Sequence, residues 1–404
     1  DGCAPPPCAD ASDAGASDAD AATPTATLQL VASSEGTSGG DKVVPGEVLR
    51  YRMVVAVPEG SVAGAELRLQ LAPGLRFVAD DTTTVALVSD DRGLDSSRLS
   101  GTRLDVTGGG DGVGSIASIV PLQRLQGDAL VGADGRPVPA CTVLDAGDGP
   151  RILLGDLDNL DRDCGAEFVV VEFDAVVDNA AGNVRGDALP VSFSWVADGA
   201  VRAVSNTVEV CVGEPSIVDL DARVVEVTGT HVVFEATFGN SGDQVAHDVR
   251  LVDAFDASSG LGFGGAWTVS GLPQGAINAS TADTLDLRLP TLAPGETVTV
   301  RYDACLADAA APAGARDVVV TYTSLSECGG ELTVAADGGS ATSTTTGERT
   351  GDTTDYGGPA NVYRDVDRVA LGAVSGTLWN DTPNADGLIG ATEARLPGVP
   401  GTLT

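Results

Sequence analysis

The sequence has few basic and few aromatic residues. Its 404 residues carry 58 Asp and Glu against 23 Lys and Arg, which gives a net charge of −35, and Lys42 is the only lysine. A field of this sign repels nucleic acid and anionic membranes and attracts cations, so no nucleic-acid partner is expected. Aromatic residues make up only 4%, so the cores must be built from Val, Leu and Ala. Such cores favour β-sandwiches over helical bundles.

Long apolar runs and familiar catalytic motifs are also missing. No apolar run approaches the ~18 residues of a transmembrane helix, so membrane insertion is not expected. The H-E-x-x-H, G-x-S-x-G and Walker motifs are absent. The glycine-rich stretch Thr107–Ser115 is not followed by Lys-Ser or Lys-Thr, so it is interpreted as a loop. We therefore predict that the chain is not an enzyme.

The seven cysteines form no C-x-x-C pair and are accompanied by only two histidines, so no zinc cluster is indicated. Their usage fits an oxidising, extracellular environment. Connectivity cannot be derived from sequence alone, and Cys211 is left over when neighbours in sequence are paired. The three disulfides suggested by proximity in sequence are Cys3–Cys8, Cys141–Cys164 and Cys305–Cys328.

Short stretches of alternating polar and apolar residues fill the chain from Thr27 onward. In EVLRYRMVV, the apolar Leu49, Tyr51 and Met53 share one side of a strand. No long segment has the 3.6-residue apolar period of a helix. Residues 1–26 are rich in Ala, Asp, Ser and Pro and are predicted to form an extended arm. The prediction is an all-β chain.

The strand-like segments recur in the same order in two copies, which predicts tandem immunoglobulin-like β-sandwiches. We place the sandwiches at 27–214 and 215–371, after the arm and before a short β stub at 372–404. The alignable pairs are Tyr51–Phe77 with Phe234–Phe263, Glu172–Ala175 with Arg301–Ala304, and Ser205–Pro215 with Val362–Gly372.

These copies resemble known surface-protein repeats. NSGDQVAHDVRLVDAF…LPTLAPGETVTVRYDACL resembles the bacterial repeat known as domain of unknown function 11. PGEVLRYRMVVAVPEG through LGDLDNLDRDCGAEFVVVEFDAVVDN is similar to the isopeptide-forming fimbrial relatives of that repeat. VSGTLWNDTPNADGLIGATEARLPGVPGTLT resembles the opening of a B-type domain of serine–aspartate repeat adhesins. The resemblances imply immunoglobulin-like sandwiches strung along a secreted, bacterial cell-surface protein.

The fimbrial resemblance implies an intramolecular isopeptide bond, which needs a lysine amine beside an Asn or Asp side chain. The second copy has no lysine. Lys42 lies in the Gly-rich stretch SGGDKVVPGE and is expected to be a solvated surface lysine. The chain therefore departs from this resemblance, and its stability must come from burial, disulfides or metal.

The stretch WNDTPNADGLIGATE resembles a calcium loop, which supplies oxygens at alternate positions around a turn glycine. Calcium is therefore the predicted cofactor, and the alternative is a polar hairpin turn. With Gly387 as the turn glycine, the predicted ligands are Asn384, Asp386, the Leu388 carbonyl and Glu393, with Asp381 displaced by one residue.

A second acidic run, GDLDNLDRDCGAE, offers a weaker cation site. The alternative is a solvated loop between strands. Its candidate ligands are Asp156, Asp158, Asn159, Asp161 and Asp163.

Three functions are compatible with the sequence. The first is a non-enzymatic structural or adhesive surface protein, stiffened by calcium, with Val212–Val224 as the joint between the sandwiches and host or surface ligands as possible partners. The second is a subunit of a self-assembling extracellular filament or layer, whose partners are other copies of itself or neighbouring domains. The third is a carbohydrate-binding module, which ranks last because Trp195, Trp267 and Trp379 are isolated and are expected in cores or at edges.

Overall fold

The computed structural model shows an all-β chain, as predicted, with no helix among the described residues. No described segment therefore has the helix length and apolarity needed to cross a membrane. The described residues are 25–38, 40–78, 83–89, 94–97, 149–160, 167–228, 230–255, 268–306, 315–326, 348–351 and 363–370, with the backbone alone at 118–119, 123–126, 129–131, 137–138, 143–146 and 261–262.

Strands β1–β17 form a first unit of two facing sheets. One sheet has the order β1-β3-β14-β6-β9-β10-β11, and the other has the order β12-β13-β4-β15-β17-β2. The strands are β1 (Ala26–Ser33), β2 (Lys42–Val43), β3 (Val48–Val57), β4 (Gly60–Leu71), β5 (Leu75–Phe77), β6 (Thr84–Ser89), β7 (Leu94–Ser96), β8 (Ser118–Ile119), β9 (Gln123–Gln126), β10 (Ala129–Val131), β11 (Pro137–Val138), β12 (Val143–Ala146), β13 (Gly149–Asn159), β14 (Glu167–Val177), β15 (Ala188–Ala197), β16 (Ala200–Val204) and β17 (Val208–Val212).

The two sheets of the first unit enclose one hydrophobic core. Leu49, Tyr51 and Met53, predicted to share a face, are all buried in it, because alternate residues of a strand point to the same side. Trp195 is also fully buried in this core, so the expectation that it is a core residue is confirmed.

Strands β18–β27 form a second unit with its own core. Its sheets have the orders β18-β19-β25-β21 and β23-β24-β20-β26-β27, with β22 beside β25. The strands are β18 (Asp221–Thr228), β19 (His231–Gly239), β20 (Ala246–Ala254), β21 (Leu261–Gly262), β22 (Val269–Ser270), β23 (Ile277–Asn278), β24 (Thr284–Leu292), β25 (Thr297–Leu306), β26 (Ala315–Thr323) and β27 (Arg364–Ala370).

The two units repeat one topology. The run β1-β3-β14 matches β18-β19-β25, and β13-β4-β15-β17 matches β24-β20-β26-β27. Tyr51 stacks on Phe173 with ring centroids 5.4 Å apart, and the aligned Phe234 stacks on Tyr302 at 5.4 Å. The predicted tandem sandwiches are confirmed, while the exact domain boundaries stay predictions.

Both units have a cross-strand ion pair next to these rings, but the acidic and the basic residue have exchanged strands between the two units. In the first unit Arg52 on β3 donates from Nε to Glu172 Oε1 on β14 at 2.7 Å. At the aligned positions of the second unit, Arg301 on β25 donates from Nε to Glu235 Oε2 on β19 at 2.6 Å. The pairing survives the exchange because opposite charges facing each other across neighbouring strands attract in either order.

The second core contains a buried ion pair at positions where the first unit has leucines. Asp253 faces Val318 across the strands, as Leu71 faces Val191 in the first unit, and Arg316 takes the position of Leu189.

Asp253 is held by two donors inside the core. Arg316 donates from Nε to Asp253 Oδ1 at 2.7 Å and from Nη2 to Oδ2 at 3.0 Å, and the Tyr302 hydroxyl donates to Oδ2 at 2.8 Å. The guanidinium carbon lies 4.1 Å from the centroid of the Phe234 ring. Burial raises the pKa of Asp253 even though these hydrogen bonds oppose the rise.

Candidate functional site: the joint between the two sandwiches

The connection between β17 and β18 comprises residues 213–220, a shorter stretch than the predicted joint Val212–Val224 because both of its ends belong to strands. The name joint is kept below for residues 213–220. Five of its backbone amides are held by groups of the two units, so the segment is fixed near both of its ends and at its centre. Buried amides require such partners because an unbonded one is costly. The bonds run from Gly213 N to Val43 O (2.7 Å), Glu214 N to Asp243 Oδ1 (2.8 Å), Ser216 N to Asn240 Oδ1 (3.0 Å), Ile217 N to Tyr322 Oη (3.0 Å) and Leu220 N to Asp365 Oδ2 (2.8 Å).

The β19–β20 turn lies directly against the joint. Asn240 is buried, and its Oδ1 accepts from Ser216 N at 3.0 Å and from Gly242 N at 2.9 Å. A Cβ atom at Gly242 would lie 2.3 Å from Glu214 O and 2.5 Å from Ser216 N. Only a glycine therefore allows the turn and the joint to approach this closely.

An ion pair also crosses the joint. Lys42 Nζ lies 2.8 Å from Asp243 Oδ2. Burial acts to raise the pKa of Asp243, but hydrogen bonds from Lys42 and the Glu214 amide outweigh it, and the pKa is lowered. Lys42 is partly exposed, as expected, but it bonds to the second unit, which its sequence context did not predict.

Arg349, from the segment between β26 and β27, is fully buried between the two units. Its Nε donates to Asn179 Oδ1 at 2.8 Å, its Nη1 donates to the Glu214 carboxylate, and its Nη2 donates to the carbonyls of Ala180 and Asn183, both at 3.2 Å. The planar guanidinium directs several donors at once, which suits it to join three segments. Arg349 thus ties the second unit to the β14–β15 loop and to the joint.

Two stacked tyrosines contact the joint, one at the same carboxylate and one at the backbone. The rings of Tyr322 and Tyr363 lie 4.7 Å apart at an angle of 8°. The Tyr363 hydroxyl donates to Glu214 Oε1 at 3.1 Å, while the Tyr322 oxygen accepts from Ile217 N at 3.0 Å. Burial raises the pKa of Tyr322 to about 12 and that of Tyr363 well above its usual range, so both phenols stay protonated near neutral pH.

A second contact region surrounds the loop Ser33–Ser38. Glu35 Oε2 accepts from Ser326 N of the second unit at 2.8 Å. Thr37 Oγ1 lies 3.2 Å from Nε2 of His247, which is buried on β20. Two further hydrogen bonds cross between the units, from Ser324 Oγ to Pro45 O (2.8 Å) and from Asn179 Nδ2 to Glu348 O (3.2 Å).

The side chain of the buried Glu47 is hydrogen-bonded to this loop. The Glu47 carboxylate accepts from Ser33 Oγ, from Ser38 Oγ at 2.8 Å and from Val44 N at 2.8 Å. Burial raises the pKa of Glu47 to about 7, and the nearby carboxylate of Glu35 adds to the rise. The loop that contacts the second unit thus depends on a carboxyl group that titrates near neutral pH.

The predicted calcium loop lies outside the described residues, so that site stays a prediction. Its ligands there are Asp381, Asn384, Asp386, Leu388 and Glu393.

The weaker acidic site is described only in part. Asp156 and Asp158 are exposed on one face of β13, where they accept from Gly64 N at 2.8 Å and Ser61 Oγ at 2.6 Å. Asn159 points to the opposite face, is buried, and donates to Glu167 Oε2 at 2.9 Å. The described part thus separates Asn159 from the two aspartates because a strand alternates its faces. Asp161 and Asp163 lie outside the described residues.

Most of the predicted disulfide partners also lie outside the described part. Cys305 lies within it, near the end of β25, where it is exposed and makes no disulfide, and Cys211 on β17 is likewise free. The pairings Cys3–Cys8 and Cys141–Cys164 stay predictions, and the free Cys305 gives the pairing Cys305–Cys328 no support. The cysteines beyond the described residues are Cys3, Cys8, Cys141, Cys164 and Cys328.

The sequence did not point to the residues that fasten the joint. Arg349 stands in TTTGERTG, a polar stretch with no strand period, and Glu47 follows an ordinary Pro-Gly turn. His247 gave no signal either, and the other histidine, His231, pairs with Asp303 Oδ2 through Nε2 at 2.9 Å. The only sequence signal for the joint was its place between the two copies.

Comparison with known proteins gives structural likenesses only. No protein family and no curated protein matches the sequence. The chain is similar to the C-terminal domain of the AgI/II polypeptide BspA from Streptococcus agalactiae, with 10% identity over 74% of this chain and 95% of that one and a TM-score of 0.39. It is similar to the major pilin subunit BcpA of Bacillus cereus, with 9% identity over 76% and 62% and a TM-score of 0.28. A 35 kDa C-terminal fragment of the major pilin GBS80 of Streptococcus agalactiae gives 11% identity over 75% and 87% and a TM-score of 0.24.

Proposed function

We propose that the chain is a non-enzymatic extracellular structural or adhesive surface protein, in which the two sandwiches form one stiff rod. The observation that carries this proposal is the fully buried Arg349 of the second unit, which bonds both to Asn179 of the first unit and to Glu214 of the joint. A stalk keeps its shape under force only if its domains do not rotate against each other. Rotation of the two units here would break the hydrogen bonds of Arg349 and expose its guanidinium. The surface location rests on the sequence resemblance to surface-protein repeats.

The joint supports stiffness without any added group. Five of its amides and the Asn240, Asp243 and Glu214 side chains bond to protein partners. Calcium at Asp381–Glu393 remains a separate proposal that would stiffen a more distant part of the chain. A lower melting temperature in the presence of a chelator would support that proposal, and an unchanged melting temperature would count against it.

Gly242→Ala is expected to loosen the joint while both cores stay intact. The added Cβ would meet backbone atoms of the joint at 2.3–2.7 Å, so turn and joint must move apart. We expect a cost of about 1–3 kcal/mol, as for overpacked sites. Small-angle X-ray scattering should show one narrow set of interdomain arrangements for the wild type and a broader set for the variant.

Gly182→Ala is the matched control, because a Cβ at Gly182 meets no atom within 4 Å. Its scattering should match that of the wild type. Scattering of the wild type that requires many relative orientations of the two units would contradict the rod.

A filament or layer subunit is the alternative, with other copies of the chain as partners. Light scattering over a range of concentrations separates the two: a stalk fragment stays monomeric, whereas a subunit grows with concentration. The carbohydrate-binding hypothesis loses one candidate residue, since Trp195 is buried and cannot serve as an exposed platform for a sugar ring.

A further inference from the structure

We propose that the joint is gated by a proton: a proton held by the Glu35–Glu47 carboxyl pair keeps the loop Ser33–Ser38 seated against the second unit, and its loss releases the loop. This inference rests on the proposed stiff rod and names what regulates it. The gate lies where one loop makes both the carboxyl contacts and the interdomain contacts.

Two carboxyl groups lie buried at the base of the loop. Glu35 and Glu47 are 5% and 0% exposed. The partners of Glu47 are neutral, namely two serine hydroxyls and the Val44 amide. Two basic residues at the interface have other partners, since Lys42 is bound to Asp243 and Arg349 to Glu214. Burial acts to raise the pKa of Glu35, but hydrogen bonds from Ser326 and Thr37 and the charge of His247 outweigh it, and the pKa is lowered. The proton is therefore held by Glu47, whose ionisation is opposed by burial and by the Glu35 carboxylate.

The charged and titratable groups around the pair are few. His247 faces Glu35 from the second unit through Thr37, and Tyr51 lies beneath Glu47 on β3. Burial lowers the pKa of His247, although Glu35 acts to raise it, so burial favours the neutral imidazole. Burial also raises the pKa of Tyr51, which therefore stays protonated. Glu47 is then the group that changes charge as the pH passes through neutrality.

The loop connects this titration to the interface. Glu47 bonds to both ends of the loop, at Ser33 and Ser38, while Glu35 and Thr37 between them contact Ser326 and His247 of the second unit. An ionised Glu47 draws water and repels Glu35, which weakens the support of the loop.

The direction of the pH effect follows from proton linkage. Glu47 has a pKa of 4.5 in the unfolded chain and about 7 in the folded one, so the folded chain binds more protons between these values. Its stabilising contribution is complete below pH 4.5 and is lost as the pH rises through about 7. The difference amounts to a factor of roughly 300 in the folding equilibrium constant.

The test compares scattering and melting of the wild type and Glu47→Gln at pH 6 and pH 8.5. Glutamine keeps the shape of the side chain, and its amide can donate to Ser33 Oγ while its oxygen accepts from Val44 N. We expect the wild type to be stiff at pH 6 and to gain interdomain freedom and lose melting temperature at pH 8.5, whereas the variant changes little between the two. Equal stiffness of the wild type at both pH values would overturn the gate but leave the rod intact.

A wild type that is flexible at both pH values would instead contradict the rod itself. Should Glu47→Gln fail to fold, the carboxyl carbon of Glu47 in the wild type can be titrated by NMR. A midpoint near 7 supports the gate, and a midpoint near 4.5 overturns it.

Discussion

Arg349→Met is expected to lower the free energy of unfolding by about 3–5 kcal/mol, because it leaves a buried partner charge without compensation. The Glu214 carboxylate and Asn179 Oδ1 would each lose the donor that Arg349 now supplies. Methionine fills similar space without donors, so the loss isolates the ionic and hydrogen-bonding role. Chemical denaturation should resolve two transitions where the coupled units of the wild type unfold in one.

Arg202→Met is the control for this substitution. Arg202 also pairs with a carboxylate, Asp198, but both side chains are nearly half exposed, and their further bonds go to Ala197 and Ala63 of the first unit. Exposed pairs of this kind contribute about 0–1 kcal/mol. Equal losses in the two variants, or a single unchanged transition in Arg349→Met, would show that Arg349 does not fasten the units.

Asp253→Leu alone is expected to destabilise the second unit by about 3–5 kcal/mol, since it leaves Arg316 as an unpaired buried cation. The double variant Asp253→Leu, Arg316→Leu should recover this loss and can exceed the wild type by about 1–4 kcal/mol. The first unit supplies the precedent, with Leu71 and Leu189 at the same positions of the same topology.

Thermal and chemical unfolding of the two variants decide the matter. The contribution of the ion pair to stability depends on its geometry, since Arg316 makes two hydrogen bonds to Asp253 and packs on Phe234. A double variant as unstable as the single one would mean that the cation–aromatic packing, rather than charge compensation, stabilises this core.

The sequence predicted the elements of the fold better than the contacts between them. Period-2 alternation around Tyr51 identified β3, and the aligned order of segments identified two sandwiches, because both signals are local or repeat along the chain. The partners of Arg349 lie about 135 to 170 positions away along the chain, and no local pattern encodes such distances.

Glu47 illustrates the same limit for chemistry. Its unusual pKa comes from burial and from its neutral partners, neither of which is visible in the letters VVPGEV. Conversely, the acidic run around Asp156 looked convergent in sequence, but strand alternation sends Asn159 to the other face of β13. Sequence spacing indicates which residues are near, whereas burial decides which of them act together.

The inverted ion pair of the two sandwiches bears on how the chain avoids folding into the wrong partners. Neighbouring domains of one topology can exchange strands while they fold, and such errors are a hazard of repeat proteins. If β3 paired with β25, Arg52 would face Arg301, and if β19 paired with β14, Glu235 would face Glu172. Both mispaired forms place like charges opposite each other, whereas both native forms attract. Because the two charges are exchanged between the copies, electrostatic repulsion disfavours pairing between strands of different sandwiches.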